Sequence, residues 1–129
     1  MRFLRRALAV TLVLGAAVAN ASDFSFIVSP NQLICAAGGS ACVRGSLSYS
    51  ANQRIVELRS RVTQASGPGM FRIWLYGENY QGYPRRAVLE VPIRGVRSEI
   101  VNLRIIPDAP DVEVWVIQSV EFERESNRR

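Results

Sequence analysis

Residues 67–79 read Gly-Pro-Gly-Met-Phe-Arg-Ile-Trp-Leu-Tyr-Gly-Glu-Asn. Turn residues bracket the segment, and inside it Phe71, Ile73 and Leu75 alternate with Arg72, Trp74 and Tyr76. A period of two is the spacing of a β-strand, whose successive side chains point to opposite faces. One face is therefore apolar and the other carries flat rings and charge. The pattern recurs along the chain. Phe24, Phe26 and Val28 precede Ser29-Pro30-Asn31, and Leu47 and Tyr49 precede Ser50-Ala51-Asn52. Ala87, Leu89, Val91 and Ile93 share a face ended by Gly95, and Val101, Leu103 and Ile105 share another, ended by Pro107-Asp108-Ala109-Pro110. Val112, Val114, Val116, Val120 and Phe122 close the series. Short alternating runs with turn signals at roughly eight- to twelve-residue spacing predict an all-β chain, a single small β-sandwich of jelly-roll or immunoglobulin-like kind. The period-two sets are its expected inner faces.

Residues 53–63 fit two templates. As a strand they turn Val56, Leu58 and Val62 inward; as a helix they align Ala51, Ile55, Leu58 and Val62, with Ser50 and Gln53 as a capping box. The strand is the preferred reading, because Gly67-Pro68-Gly69 can turn it into the strand that follows.

The N-terminus has the form of an export signal. Arg2, Arg5 and Arg6 precede an apolar run from Ala7 to Ala19, which ends in Ala19-Asn20-Ala21. That is the small-x-small pattern of a cleavage site, and the run is shorter than the ~20 residues a spanning helix needs. Residues 1–21 are thus expected to be a cleaved signal peptide, 22–124 the sandwich domain and 125–129 a short polar tail. The mature chain is expected to be periplasmic or secreted, with no stable membrane insertion.

Charge narrows the partners. The formal net charge is +5, but three of the 16 basic residues lie in the signal, leaving thirteen against eleven acids, or +2. Arg124, Arg128 and Arg129 sit near the end, so the body is near neutral, and no basic stripe with interleaved aromatics points to nucleic acid. Every basic residue is arginine. Cys35 and Cys42 are the sole cysteines, an even pair that in an exported chain predicts a disulfide clipping a Gly-rich loop.

Missing residues exclude most familiar catalytic machinery. Without histidine there is no Ser-His-Asp triad, Cys-His pair or imidazole metal ligand, and without lysine no Schiff base. Carboxylate-pair hydrolysis of glycosides remains open, with Glu78, Glu90, Asp108, Asp111 and Glu113 as candidates. Asp108, Asp111 and Glu113 read first as a solvated turn and second as a calcium site without regular loop spacing. No cofactor is implied.

The aromatic set is the main binding signal. Arg72, Trp74 and Tyr76 fall opposite Phe71, Ile73 and Leu75; Glu113 and Trp115 fall opposite Val112, Val114 and Val116; Tyr80 and Tyr83 lie in the intervening loop with Arg85 just beyond. Flat rings beside Arg, Glu, Asn and Gln suit stacking on sugars, with polar groups bonding hydroxyls. The competing expectation is that both tryptophans are buried, as large aromatics mostly are.

The run from Ile100 to Glu123, ending Val-Trp-Val-Ile-Gln-Ser-Val-Glu-Phe-Glu, resembles the closing strands of galactose-binding-like jelly rolls, which include several carbohydrate-binding modules. It departs where those modules commonly carry an acidic residue, a place held here by Gln118 and Ser119, and the mature chain is short for them. The resemblance implies a sandwich and a sugar ligand, and transfers no binding residue. The function expected is an exported, non-catalytic module binding carbohydrate or envelope polysaccharide. The alternative is a periplasmic or surface assembly protein in which Ile27, Ile55 and Ile100 mark a protein interface.

Overall fold

The computed structural model describes residues 24–126, so the signal reading at 1–21 and the tail end at 127–129 lie outside the described residues. Seven strands and one short 3-10 turn follow in order: β1 (Phe24–Cys35), the turn Ala37–Gly39, β2 (Ala41–Ser50), β3 (Ile55–Ala65), β4 (Gly69–Glu78), β5 (Pro84–Ile93), β6 (Ile100–Ile105) and β7 (Val116–Arg124). They form a four-stranded sheet in the order β1-β2-β3-β6 and a three-stranded sheet in the order β5-β4-β7. Every pairing is antiparallel. The immunoglobulin constant order instead places the fifth strand beside the second. Here β2 lies between its own sequence neighbours, and β6 returns to the first sheet after the β4–β5 hairpin has begun the second.

The inner faces meet as the alternation requires. Val43, Leu47, Val56 and Leu58 from one sheet and Phe71, Ile73, Leu75 and Leu89 from the other are fully buried in one cluster. Each such side chain contributes roughly 1.5–3 kcal/mol relative to exposure. The ambiguous segment resolves as strand from Ile55 onward: β3 pairs on both sides, with Val56, Leu58 and Val62 inward, while Gln53 and Arg54 belong to the preceding turn. The capping signal survives only as a turn, where Ser50 Oγ accepts the Gln53 amide at 3.3 Å and Arg54 closes the loop with φ +60°. The gain from two ladders plus an apolar inner face outweighs one helical turn.

Two predicted faces are corrected. Phe24 and Phe26 are not core: they are 43% and 47% exposed and pack edge-to-face on the outside of β1, 4.8 Å between centroids. Register irregularities between Phe26 and Val28 and between Val28 and Gln32 break the parity of β1, so Ile27 and Val28 both pack against the core. Ile27 is therefore not an exposed interface residue. Near the C-terminus, Val114 and Val116 are 70% and 50% exposed while Trp115 is 3% exposed. Residues 111–115 form a connection rather than a strand, and a register shift where Trp74 and Leu75 face β7 resets the alternation before Val120 and Phe122 turn inward.

That connection closes one end of the sandwich. Ala109, Val112 and Trp115 are buried, and the Tyr49 hydroxyl donates to the Val112 carbonyl at 3.1 Å. Arg54 donates to the Pro110 carbonyl across the same end. Gly77 makes the close approach feasible: a Cβ there would stand 2.5 Å from Val112 Cγ1 and 2.9 Å from the Val114 carbonyl oxygen.

Cys35 and Cys42 form the expected disulfide, between residues paired directly across β1 and β2, with Cα atoms 4.1 Å apart. Reducing it is expected to lower unfolding free energy by about 2–3 kcal/mol, read as a lower urea midpoint, because the loop it closes is short. Gly77→Ala is expected to cost about 1–3 kcal/mol by overpacking, with an unchanged denaturant slope.

Candidate functional site

β4 is the middle strand of its sheet, so its outward residues lie at the centre of an exposed face. Arg72, Trp74 and Tyr76 project there together, each half-buried. Neighbouring strands supply their partners. The Arg72 guanidinium bridges Glu90 on β5 at 2.8 Å and Glu123 on β7 at 2.9 Å. The Trp74 indole N–H donates to Glu121, and the Tyr76 hydroxyl to Glu78 at 2.9 Å. The Glu90 and Glu123 hydrogen bonds raise the Arg72 pKa, and the Glu78 bond raises that of Tyr76, because each favours the proton-bearing form.

The β4–β5 loop extends this face. Asn79 is 8% exposed, and its Oδ1 accepts the amides of Gln81 and Tyr83, both at 2.9 Å. Its carbonyl accepts the Gly82 amide, and Gly82 takes φ +84°, a left-handed conformation that glycine adopts without steric cost. The loop thus holds Tyr80 and Tyr83 outward, 75% and 58% exposed. The Tyr80 hydroxyl donates to Glu113 at 3.3 Å. Tyr76, Glu78, Asn79, Glu113, Val114 and Val116 line a shallow depression of about 390 Å³. Asparagine followed three residues later by glycine was a readable turn signal. The roles of Val114, Val116 and Glu121 were hidden by the parity change near β7.

The remaining expected site residues lie elsewhere. Trp115 is core, and its indole N–H has no hydrogen-bond partner among the described residues. Arg85 sits opposite Gly77, on the inward parity of β5, and donates to the Pro84 carbonyl; Arg86 is the outward residue beside Tyr76. Glu90 is engaged with Arg72, and Asp108 and Asp111 lie in the β6–β7 connection, whose Glu113 lines the same depression as Glu78. Among the described residues no three His, Cys, Asp or Glu side chains gather as a metal site requires.

The outer face of the four-stranded sheet is different in kind. Ser46, Ser48 and Ser50 run down β2, with Phe24 and Phe26 beside them on β1 and Arg59 and Arg104 beyond them on β3 and β6. Glu57 accepts from Arg59 at 3.2 Å and from Arg104 at 3.3 Å. Partial burial pushes its pKa upward, yet the two arginines together outweigh this and hold it below the ordinary value. A depressed carboxylate pKa adds stability that is complete above the unfolded value of about 4.3 and lost as pH falls through the folded one. Glu57→Gln is therefore expected to destabilise the protein at neutral pH by about 0.2–1 kcal/mol, the range of exposed pairs. It should also flatten the acid limb of a stability-versus-pH curve measured by urea denaturation.

No protein-family model matches the chain, no curated protein matches it, and no solved structure matches it.

Proposed function

We propose that the chain is an exported, non-catalytic β-sandwich module that binds carbohydrate, such as envelope polysaccharide, on the outer face of its three-stranded sheet. The observation that carries this reading is the grouping of Trp74 and Tyr76 on one exposed face with Tyr80 and Tyr83 held outward beside it. Glu78 and Glu113 stand among these rings as acceptors for hydroxyl groups. Aromatic faces bury the apolar side of a sugar ring, and flanking carboxylates set its orientation. The resemblance of the sequence from Ile100 to Glu123 to galactose-binding-like modules supports the same reading. Export is supported by the N-terminal sequence and the disulfide, and among the described residues no helix is long and apolar enough to cross a membrane. Absence of histidine and lysine favours binding over catalysis.

A second reading, a surface or periplasmic assembly subunit, is favoured by Val114 and Val116, which are exposed next to Tyr76. Mass that rises with concentration in light scattering would support it.

The carbohydrate reading is tested with an array of neutral and acidic glycans, followed by titration of tryptophan fluorescence. Trp115 is buried, so quenching on binding is expected to come from Trp74 and to disappear in Trp74→Phe. Tyr76→Ala and Tyr80→Ala are expected to weaken binding at least about tenfold, or 1.4 kcal/mol. No response to any glycan would overturn the reading.

A further inference from the structure

We infer that the four-stranded sheet carries a second site, for a phosphate-type tetrahedral oxyanion, held by Arg44, Arg61 and Arg97. The register places Arg44 on β2 directly opposite Arg61 on β3, both exposed on the outer face. Like charges in directly opposed positions destabilise a sheet. Arg97 is brought beside them by the loop between β5 and β6, which is tied to β3 where Val62 donates to the Glu99 carbonyl and accepts from the Ser98 amide, both at 2.8 Å. Ser98 takes φ +68° at this reversal. Together with Asn31, Thr63 and Ser98, the three arginines line a depression of about 330 Å³.

Nothing described neutralises this cluster. Among the described residues no carboxylate lies within ion-pair distance of Arg44, Arg61 or Arg97. Glu99, the nearest acid in sequence, is turned away: its side chain is 11% exposed and accepts the amides of Arg94, Gly95 and Val96. Glu57 is occupied by Arg59 and Arg104. Arg44 is already oriented, donating to the Asn31 carbonyl at 3.1 Å. Each guanidinium presents a planar fork of donors that stays charged throughout the physiological range. A carboxylate offers two oxygens, enough for one fork, whereas three forks around one basin suit an ion with oxygens on several sides. Phosphate has that shape and a charge that offsets the mutual repulsion of the arginines.

The test is a titration of the protein with inorganic phosphate at low salt, followed by amide NMR, against sodium chloride at matched ionic strength. Saturable shifts confined to residues around Arg61, Thr63, Arg97 and Ser98 are expected with phosphate and not with chloride. R61Q/R97Q is expected to weaken the response at least about tenfold, while Arg86→Gln on the opposite sheet leaves it unchanged. Phosphate should raise the melting temperature of the wild type and not of R61Q/R97Q. In chloride alone that variant should melt no lower than wild type, since repulsion has been removed. Cosedimentation with phosphatidylglycerol vesicles, against phosphatidylcholine, separates the sources. Binding that R61Q/R97Q abolishes assigns a lipid headgroup; phosphate saturation without vesicle binding assigns a soluble phosphorylated ligand. Shifts that are absent, that chloride reproduces, or that R61Q/R97Q retains overturn the site, as does a variant that melts lower in chloride alone.

Discussion

The structure depends on the two-faced commitment of β4. As the central strand of a three-stranded sheet it pairs with both neighbours, so its backbone groups are used on both edges. Its inward residues Phe71, Ile73 and Leu75 are fully buried and meet Leu47 and Leu58 of the opposite sheet in one cluster. A one-residue slip would exchange that apolar row for Arg72, Trp74 and Tyr76, placing a guanidinium in the core. Core register and the make-up of the exposed aromatic face are thus the same constraint. Whatever fixes one fixes the other.

The two outer faces have diverged in charge. On the four-stranded sheet, Arg44, Arg59, Arg61 and Arg104 face outward with Glu57 as the one acid among them. On the three-stranded sheet, Glu78, Glu90, Glu121 and Glu123 outnumber Arg72 and Arg86. A near-neutral body therefore conceals a basic side and an acidic side. Ion pairs consume much of the second, since Arg72 holds two glutamates, whereas the cluster around Arg61 is left without acid among the described residues. Net charge averages away this distinction; strand parity recovers it.

Much of the fold was legible because alternation in β3 to β6 is clean. Leu89, Val91 and Ile93 lie where their spacing put them, and the outward placement of Arg72, Trp74 and Tyr76 followed from the same rule. Period two loses its meaning where parity is not conserved along a segment. The irregularities in β1 put Phe24 and Phe26 outside, and the non-strand residues before β7 exchanged Trp115 with Val114 and Val116. A period-two argument carries no information across a bulge, because the extra residue inverts every assignment beyond it. The basic face was not read from sequence: Arg59 and Arg61 flank Ser60, but the cluster needs the cross-strand partner Arg44 and the distant Arg97, neither fixed by local sequence.

The position of the disulfide has a consequence for β1 beyond the stability of a short loop. This is an edge strand, interrupted twice, containing Pro30 and displaying apolar rings on its solvent side, so a single period of two does not run along its whole pairing with β2. The bond joins two residues that are partners in the ladder itself. A displaced alignment separates those sulfur atoms, so the covalent link selects among pairings as well as tightening one. The crosslink is thus a register pin at the edge of the sheet, covalent where the rest of the ladder is held by hydrogen bonds alone.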